Sequence, residues 1–133
     1  MSKILDKEDN TKVILMAEPI RNSADLQKQL AEFQETQRQL QLMAAQRQQL
    51  SLQVEEIKIA EEELGKTEKG IYRAVGPLLI ETTKSDAMAD LKGKKELFEM
   101  RVGVLGKQEE KIRPRLDELR AGLEKAIREG KAR

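Results

Sequence analysis

Cysteine, histidine and tryptophan are all missing from this sequence, and two phenylalanines and one tyrosine supply its whole aromatic content. Without cysteine there is no disulfide framework and no thiolate chemistry, a composition that suits a reducing cytosol. Without histidine as well, the usual transition-metal ligands and most nucleophile–base pairs are gone, so no metal, no cofactor and no catalysis are expected. Long apolar runs are lacking too. The longest near the start, residues 13–17, is too short for a signal-peptide core or a membrane span, and acidic residues precede it. No glycine-rich phosphate loop of either common pattern is found, so an ATPase is not indicated. The chain reads as a soluble, intracellular, cytoplasmic protein that is not an enzyme.

What is present is charge. Of 133 residues, 37% are charged and 38% hydrophobic, with a net charge of +1. Long helices with a narrow apolar stripe need few core residues and many solvated ones, which is this balance. Disorder is the competing reading of such polarity. The near-zero net charge and a sustained helical periodicity oppose it.

One stretch stops reading as helix and starts reading as strand: Gly70-Ile71-Tyr72-Arg73-Ala74-Val75-Gly76-Pro77-Leu78-Leu79-Ile80-Glu81-Thr82-Thr83. Residues 71–75 and 78–83 are rich in β-branched, aromatic and aliphatic side chains, and Gly76-Pro77 separates them as a turn would. A two-residue turn of type II′ wants φ > 0 at its first centre and a proline-like φ at its second, so Gly then Pro fits. An isolated hairpin is marginal in water, and no third strand of comparable signature is offered. The hairpin is therefore expected to complete its sheet with other subunits.

Organisation follows from that centre: an N-terminal extension over residues 1–22, a helix over 23–65, the hairpin region over 66–84, a second helix over 85–130 and a tail over 131–133. In the extension, Val13-Ile14-Leu15-Met16 before Glu18-Pro19 reads either as an extra strand or docking segment, or as a tail that orders on assembly. Asn22 or Ser23 can cap the first helix, with Asp25 in its first turn. Its stripe runs Leu26, Leu30, Phe33, Leu40, Met43, Leu50, Val54, Ile57 and Leu64, and Gly65 stands where a left-handed cap is wanted. At about 1.5 Å per residue such a helix is roughly 60 Å long. Thr83 or Ser85 starts the second helix, whose stripe is Met88, Leu91, Lys95, Phe98, Val102, Leu105, Glu109, Ile112, Leu116, Leu119, Leu123 and Ala126. Gly130 lies at its end, and Pro114 inside it should bend the helix without terminating it.

Two helices joined by a hairpin can lie antiparallel. With the fold-back centred near Gly76, positions whose numbers add to about 152 should face one another. Val54 then meets Phe98, Phe33 meets Leu119 and Leu30 meets Leu123. Polar intruders find opposites one layer away, Arg47 near Glu109 and Glu61 near Lys95, where they set register more than they stabilise. The expected fold is mostly α: an antiparallel coiled coil of two long helices joined by a β-hairpin.

Other features weigh toward solvated surface. The ten glutamines between Gln27 and Gln53 lie off the apolar stripe. The basic residues near the end, among them Lys111, Arg113, Arg115, Arg120, Lys125, Arg128, Lys131 and Arg133, are interleaved with acids and lack a stacking aromatic, so nucleic acid is not expected. Glu61-Glu62-Glu63 has no turn spacing for a cation. Where the helices end together, Leu26, Leu30 and Phe33 on one and Leu119, Leu123 and Ile127 on the other either close the coiled coil or splay to offer apolar surface to another polypeptide. Both can hold at once.

The helix–hairpin–helix order, taken with Gln29-Leu30-Ala31-Glu32-Phe33-Gln34, with Ile71-Tyr72-Arg73-Ala74-Val75-Gly76-Pro77-Leu78-Leu79-Ile80 and with Lys107-Gln108-Glu109-Glu110-Lys111-Ile112, resembles the β-subunit class of the archaeal prefoldin family. It is similar, more distantly, to the sixth subunit of the eukaryotic complex. The likeness covers roughly residues 25–128. Two departures are the length of the extension through Asn22 and the proline at position 114. The resemblance implies a hexamer of two α and four β subunits, with hairpins assembled into a β-barrel platform from which the coiled coils hang. It implies an ATP-independent chaperone, a holdase that captures unfolded proteins at the coiled-coil tips and delivers them to a group II chaperonin. The matched client-binding positions are Leu26, Leu30, Phe33, Leu119, Leu123 and Ile127. The oligomerisation positions are Ile71, Tyr72, Val75, Leu78 and Ile80. A structural adaptor for a folded partner is the alternative, and an RNA-contacting arm a weaker third.

Overall fold

A computed structural model describes residues 19–130 of the chain. Helix α1 spans Ser23–Gly65, strands β1 and β2 span Tyr72–Val75 and Leu78–Glu81, and helix α2 spans Lys84–Arg128. The apolar run Val13-Ile14-Leu15-Met16 and the tail after Gly130 lie outside the described residues.

The helix starts are capped by side chains. Asn22 Oδ1 accepts from the Asp25 amide at 2.9 Å, and Asp25 Oδ2 in turn accepts from the Arg21 amide at 3.0 Å, so two otherwise orphaned donors are satisfied. At α2 the Asp86 amide donates to Thr83 Oγ1 at 3.1 Å, which makes Thr83 the cap. The end of α1 differs from expectation. Gly65 is its last helical residue and is not left-handed; the glycines with positive φ are Gly70, Gly76 and Gly130. The last turn tightens instead, with Lys66 and Thr67 amides donating to Glu63 and Leu64 carbonyls at 3.1 Å. Thr67 Oγ1 donates to Glu63 O at 2.8 Å and Lys84 Nζ to Gly65 O at 2.9 Å, so side chains do what a left-handed glycine would have done. Gly130, at φ 74°, does close α2 in the left-handed manner.

Pro114 lies inside α2, and the helix continues past it to Arg128. Proline removes the hydrogen bond to the carbonyl four residues back, on Glu110. Both residues are on the exposed side, where water can take that carbonyl.

The chain divides into two compact units. In one, formed by α1 as far as Met43 and α2 from Lys107, Ile20, Leu123 and Ala126 form a buried cluster against which Leu26 and Phe33 pack. Leu116 and Leu119 are buried there too. Gln29 beside Gly122 and, farther along α1, Glu32 with the earlier Arg115 show that the two helices run antiparallel within this unit. The other unit, Ala44–Gly106, holds the hairpin together with Val54 and Ile57 as its buried residues. Lys95 Nζ donates to Glu61 Oε1 at 2.7 Å, the cross-helix pair expected from the sequence, and Lys84 reaches Gly65. Again the order is antiparallel.

The hairpin is a two-stranded antiparallel sheet with register Tyr72↔Glu81, Arg73↔Ile80, Ala74↔Leu79 and Val75↔Leu78. Gly76, at φ 58°, and Pro77 make the two-residue turn. The strands are shorter than the pattern indicated, although Thr82 N still donates to Ile71 O at 2.9 Å.

Candidate functional site

Two regions carry candidate residues, and each is built by a different local cause. The first is the hairpin. Side chains alternate across a strand, so the register puts Tyr72, Ala74, Leu79 and Glu81 on one face and Arg73, Val75, Leu78 and Ile80 on the other. All eight strand residues are exposed. A sheet that is apolar on both faces and covered on neither has not buried what its sequence was built to bury. Ile71 is half-buried beneath it, whereas Tyr72, Val75, Leu78 and Ile80 are free on its faces. Leu79, at 73% exposure, belongs with them and was missed by the sequence reading; its place in the alternating strand was the available signal. Arg73 Nη1 reaches Asp90 Oδ2 at 3.5 Å, a contact that ties the hairpin to α2.

The second region lies where α1 starts and α2 ends. The structure brings the six candidates into one unit but gives them different roles. Leu119 is fully buried and Leu123 nearly so, closing the unit from within. Leu26 and Phe33 are half-buried against that core. Leu30 and Ile127 remain 42% and 63% exposed, and they are the apolar surface this end offers.

Several residues that shape this end carry no periodic signal of their own. Ile20, two residues before the Asn22 cap, is buried among Leu123 and Ala126. Gln29 is also buried, beside Gly122, where a Cβ would stand 3.7 Å from Gln29 Oε1. Arg115, directly after the proline, forks onto Glu32, with Nε to Oε2 at 3.0 Å and Nη2 to Oε1 at 2.6 Å, while its Nη1 reaches Glu118 Oε1 at 3.1 Å. Arg120 stands over the Phe33 ring.

The electrostatics are local. Hydrogen bonding from Lys95 to Glu61 holds the Lys95 ammonium above the usual lysine range. The Arg38 guanidinium, donating to Glu35 at 2.6 and 3.0 Å, holds the Glu35 carboxyl below the usual carboxylate range. Among the described residues no cluster of three metal-ligating side chains occurs, and no helix is long and apolar enough to cross a membrane.

With helix, two-stranded hairpin and helix in this order, residues 27–130 match the sequence profile described as prefoldin subunit. The chain belongs to the prefoldin subunit family. It is 39% identical over 105 residues to the prefoldin subunit beta of Thermococcus onnurineus, covering 77% of this chain and 90% of that one. The corresponding protein of Pyrococcus furiosus is 37% identical, with the same coverage. The fold agrees as well. The crystal structure of the prefoldin beta subunit from Thermococcus strain KS-1 superposes with a TM-score of 0.70 at 36% identity, covering 81% of this chain and 97% of that one. The beta2 subunit of the same strain gives 0.62 at 31% identity, over 67% and 97%. As in those prefoldin subunits, two long helices are joined by a short antiparallel hairpin.

Proposed function

We propose that this prefoldin chain is a β-type subunit of a cytoplasmic hexamer of two α and four β subunits. It captures unfolded polypeptides at its helix ends and hands them to a group II chaperonin without ATP. The observation that carries the reading is the pairing of an uncovered two-faced hairpin with apolar side chains left exposed where the helices end. The hairpin supplies edges and faces for neighbouring hairpins, which would close a β-barrel platform through Ile71, Tyr72, Val75, Leu78, Leu79 and Ile80. Leu30 and Ile127 supply the first contact for a client, and Leu26 and Phe33 extend it. Leu119 and Leu123 support the surface from beneath.

Each exposed leucine or isoleucine can bury enough area to contribute about 1–2 kcal/mol. One tip therefore holds a client loosely. Several tips facing one cavity raise the effective concentration, so retention is useful and release needs no nucleotide.

The test is light scattering of a chemically unfolded client diluted with this chain and an α-type partner, with no ATP present. Aggregation should be suppressed by the pair. Leu30→Ser with Ile127→Ser should leave assembly intact and weaken suppression; both positions are exposed, so the fold is retained. Unchanged protection in that variant counts against capture at the tip. Selective binding of folded protein only supports an adaptor instead.

A further inference from the structure

We propose that Gln27, Gln34 and Gln41 form a rail along α1 that hydrogen-bonds the main chain of a bound unfolded polypeptide. This rests on the holdase reading and deepens it: apolar contacts take a client's side chains, and the rail takes the peptide groups that every unfolded chain exposes.

Helix α1 runs unbroken through these positions, so residues three and four apart share a face. Gln27, Leu30, Gln34, Gln37 and Gln41 follow in alternating steps of three and four, and all but the half-buried Gln37 are exposed. The stripe holds no charge. The charged residues between Ser23 and Met43 are Asp25, Lys28, Glu32, Glu35 and Arg38, and they lie on a separate stripe with the same kind of spacing. On that side Asp25 accepts from the Arg21 amide, Glu32 from Arg115 and Glu35 from Arg38. Charge is sorted onto one face and withheld from the other. Lysine and glutamate form helix as well as glutamine does, so propensity does not account for the sorting.

A glutamine amide donates through Nε2 and accepts through Oε1, and so can serve both the C=O and the N–H of a peptide group. A lysine or a glutamate could serve only one of them and would select clients by charge. Among the described residues Gln27, Gln34 and Gln41 commit their amides to no other group, whereas Gln39, on the charged side, donates to Glu35 Oε1 at 3.5 Å. Leu30, 42% exposed, stands within the stripe, so an apolar contact adjoins the rail.

The spacing suits an unfolded chain. Seven helical residues, the step from Gln27 to Gln34 and from Gln34 to Gln41, rise about 10.5 Å. Polyproline II, a major conformer of unfolded chains, has no internal hydrogen bonds and rises about 9.3 Å per three-residue turn. Each glutamine therefore meets the same edge of the client once per turn, and its flexible side chain takes up the difference of about 1 Å per step.

Methionine keeps the length and helix propensity of glutamine and removes the amide, which makes it the test. The full chain, labelled at its glutamine amides for NMR, is titrated with a short alanine–serine peptide that has no large apolar side chain. The side-chain amide signals of Gln27, Gln34 and Gln41 should shift while that of Gln39 stays. The same peptide N-methylated at every third residue should leave all of them in place. Gln27→Met with Gln34→Met and Gln41→Met should bind the unmethylated peptide roughly tenfold more weakly, with the helical circular dichroism unchanged, and Gln34→Met alone should show a smaller loss in the same direction. Since methionine adds apolar surface, equal or tighter binding by the triple variant overturns the proposal, as do shifts that N-methylation fails to abolish. Client protection separates the two readings. If Leu30→Ser with Ile127→Ser weakens protection and the methionine variant does not, capture at the tip stands and the rail falls. If the amide signals respond as expected and neither variant alters protection, the rail binds main chain and the holdase reading falls.

Discussion

The guanidinium carbon of Arg120 stands 5.8 Å from the centroid of the Phe33 ring, so the one aromatic of α1 is roofed by a cation from α2. Side-chain exposure of Arg120 is 50%, which keeps the charge hydrated while its stem covers the ring. Arg120→Ala should cost about 0.5–1 kcal/mol in chemical denaturation. It should also increase binding of an apolar dye, because the ring is uncovered. Arg120→Lys should recover part of both effects, and an Ala variant that binds no more dye than the parent would show that the roof does not limit access.

Leu119 and Ile127 separate packing from exposure. Leu119 is 0% exposed and Ile127 63%. Leu119→Ala should cost about 2–5 kcal/mol, since it removes buried methyls and leaves a cavity. Ile127→Ala should change stability by no more than about 0.5 kcal/mol. Urea midpoints of the two variants check the contrast, and equal midpoints would contradict it.

Stability against pH should bend at the alkaline end. The Lys95 ammonium, hydrogen-bonded to Glu61, has its pKa raised above 10.5 in the folded state. A folded state that holds its proton more tightly is favoured fully below the unfolded value, and the advantage is lost as pH rises through the folded one. Melting temperature should therefore fall more steeply above about pH 10.5 in the parent than in Lys95→Met. Glu35 acts in the opposite sense: its carboxyl is held below 4.5, so that contribution is present above 4.5 and disappears on acidification. With no histidine, the chain lacks the side chain that ordinarily changes charge between about pH 5 and 8.

Gly76 tests the hairpin by backbone alone. Its φ is 58°, and an added Cβ would meet nothing within 4 Å, so a substitution there is strained without being crowded. Gly76→Ala should cost the hairpin roughly 1–2 kcal/mol. Amide exchange at Thr82 and along β1 and β2 should accelerate while the helical signal stays constant. Slow exchange retained in the variant would mean that the turn does not limit the hairpin.

Much of this arrangement is legible from local chemistry. Three- and four-residue spacing marks both helices, Asn22 and Thr83 announce their starts, and Gly76-Pro77 between apolar runs announces the two-residue turn. The Glu61–Lys95 pair follows from fold-back arithmetic. Gly65 misled because a glycine at a helix end resembles a left-handed cap, yet Thr67 and a lysine 19 residues away take the free carbonyls. The fork of Arg115 onto Glu32 was equally hidden: two charges off the apolar stripe carry no periodic mark.

Sequence alone determined two helices, a hairpin between them and an antiparallel return, because spacing, caps and turn residues act over a few positions. Tertiary structure decided which stripe residues are covered. Leu119 and Leu30 both lie on an apolar stripe, but one is fully buried and the other 42% exposed, a difference that depends on where the facing helix lies. Ile20 joins the core for the same reason: it is buried with Leu123 and Ala126, more than one hundred positions away in the chain.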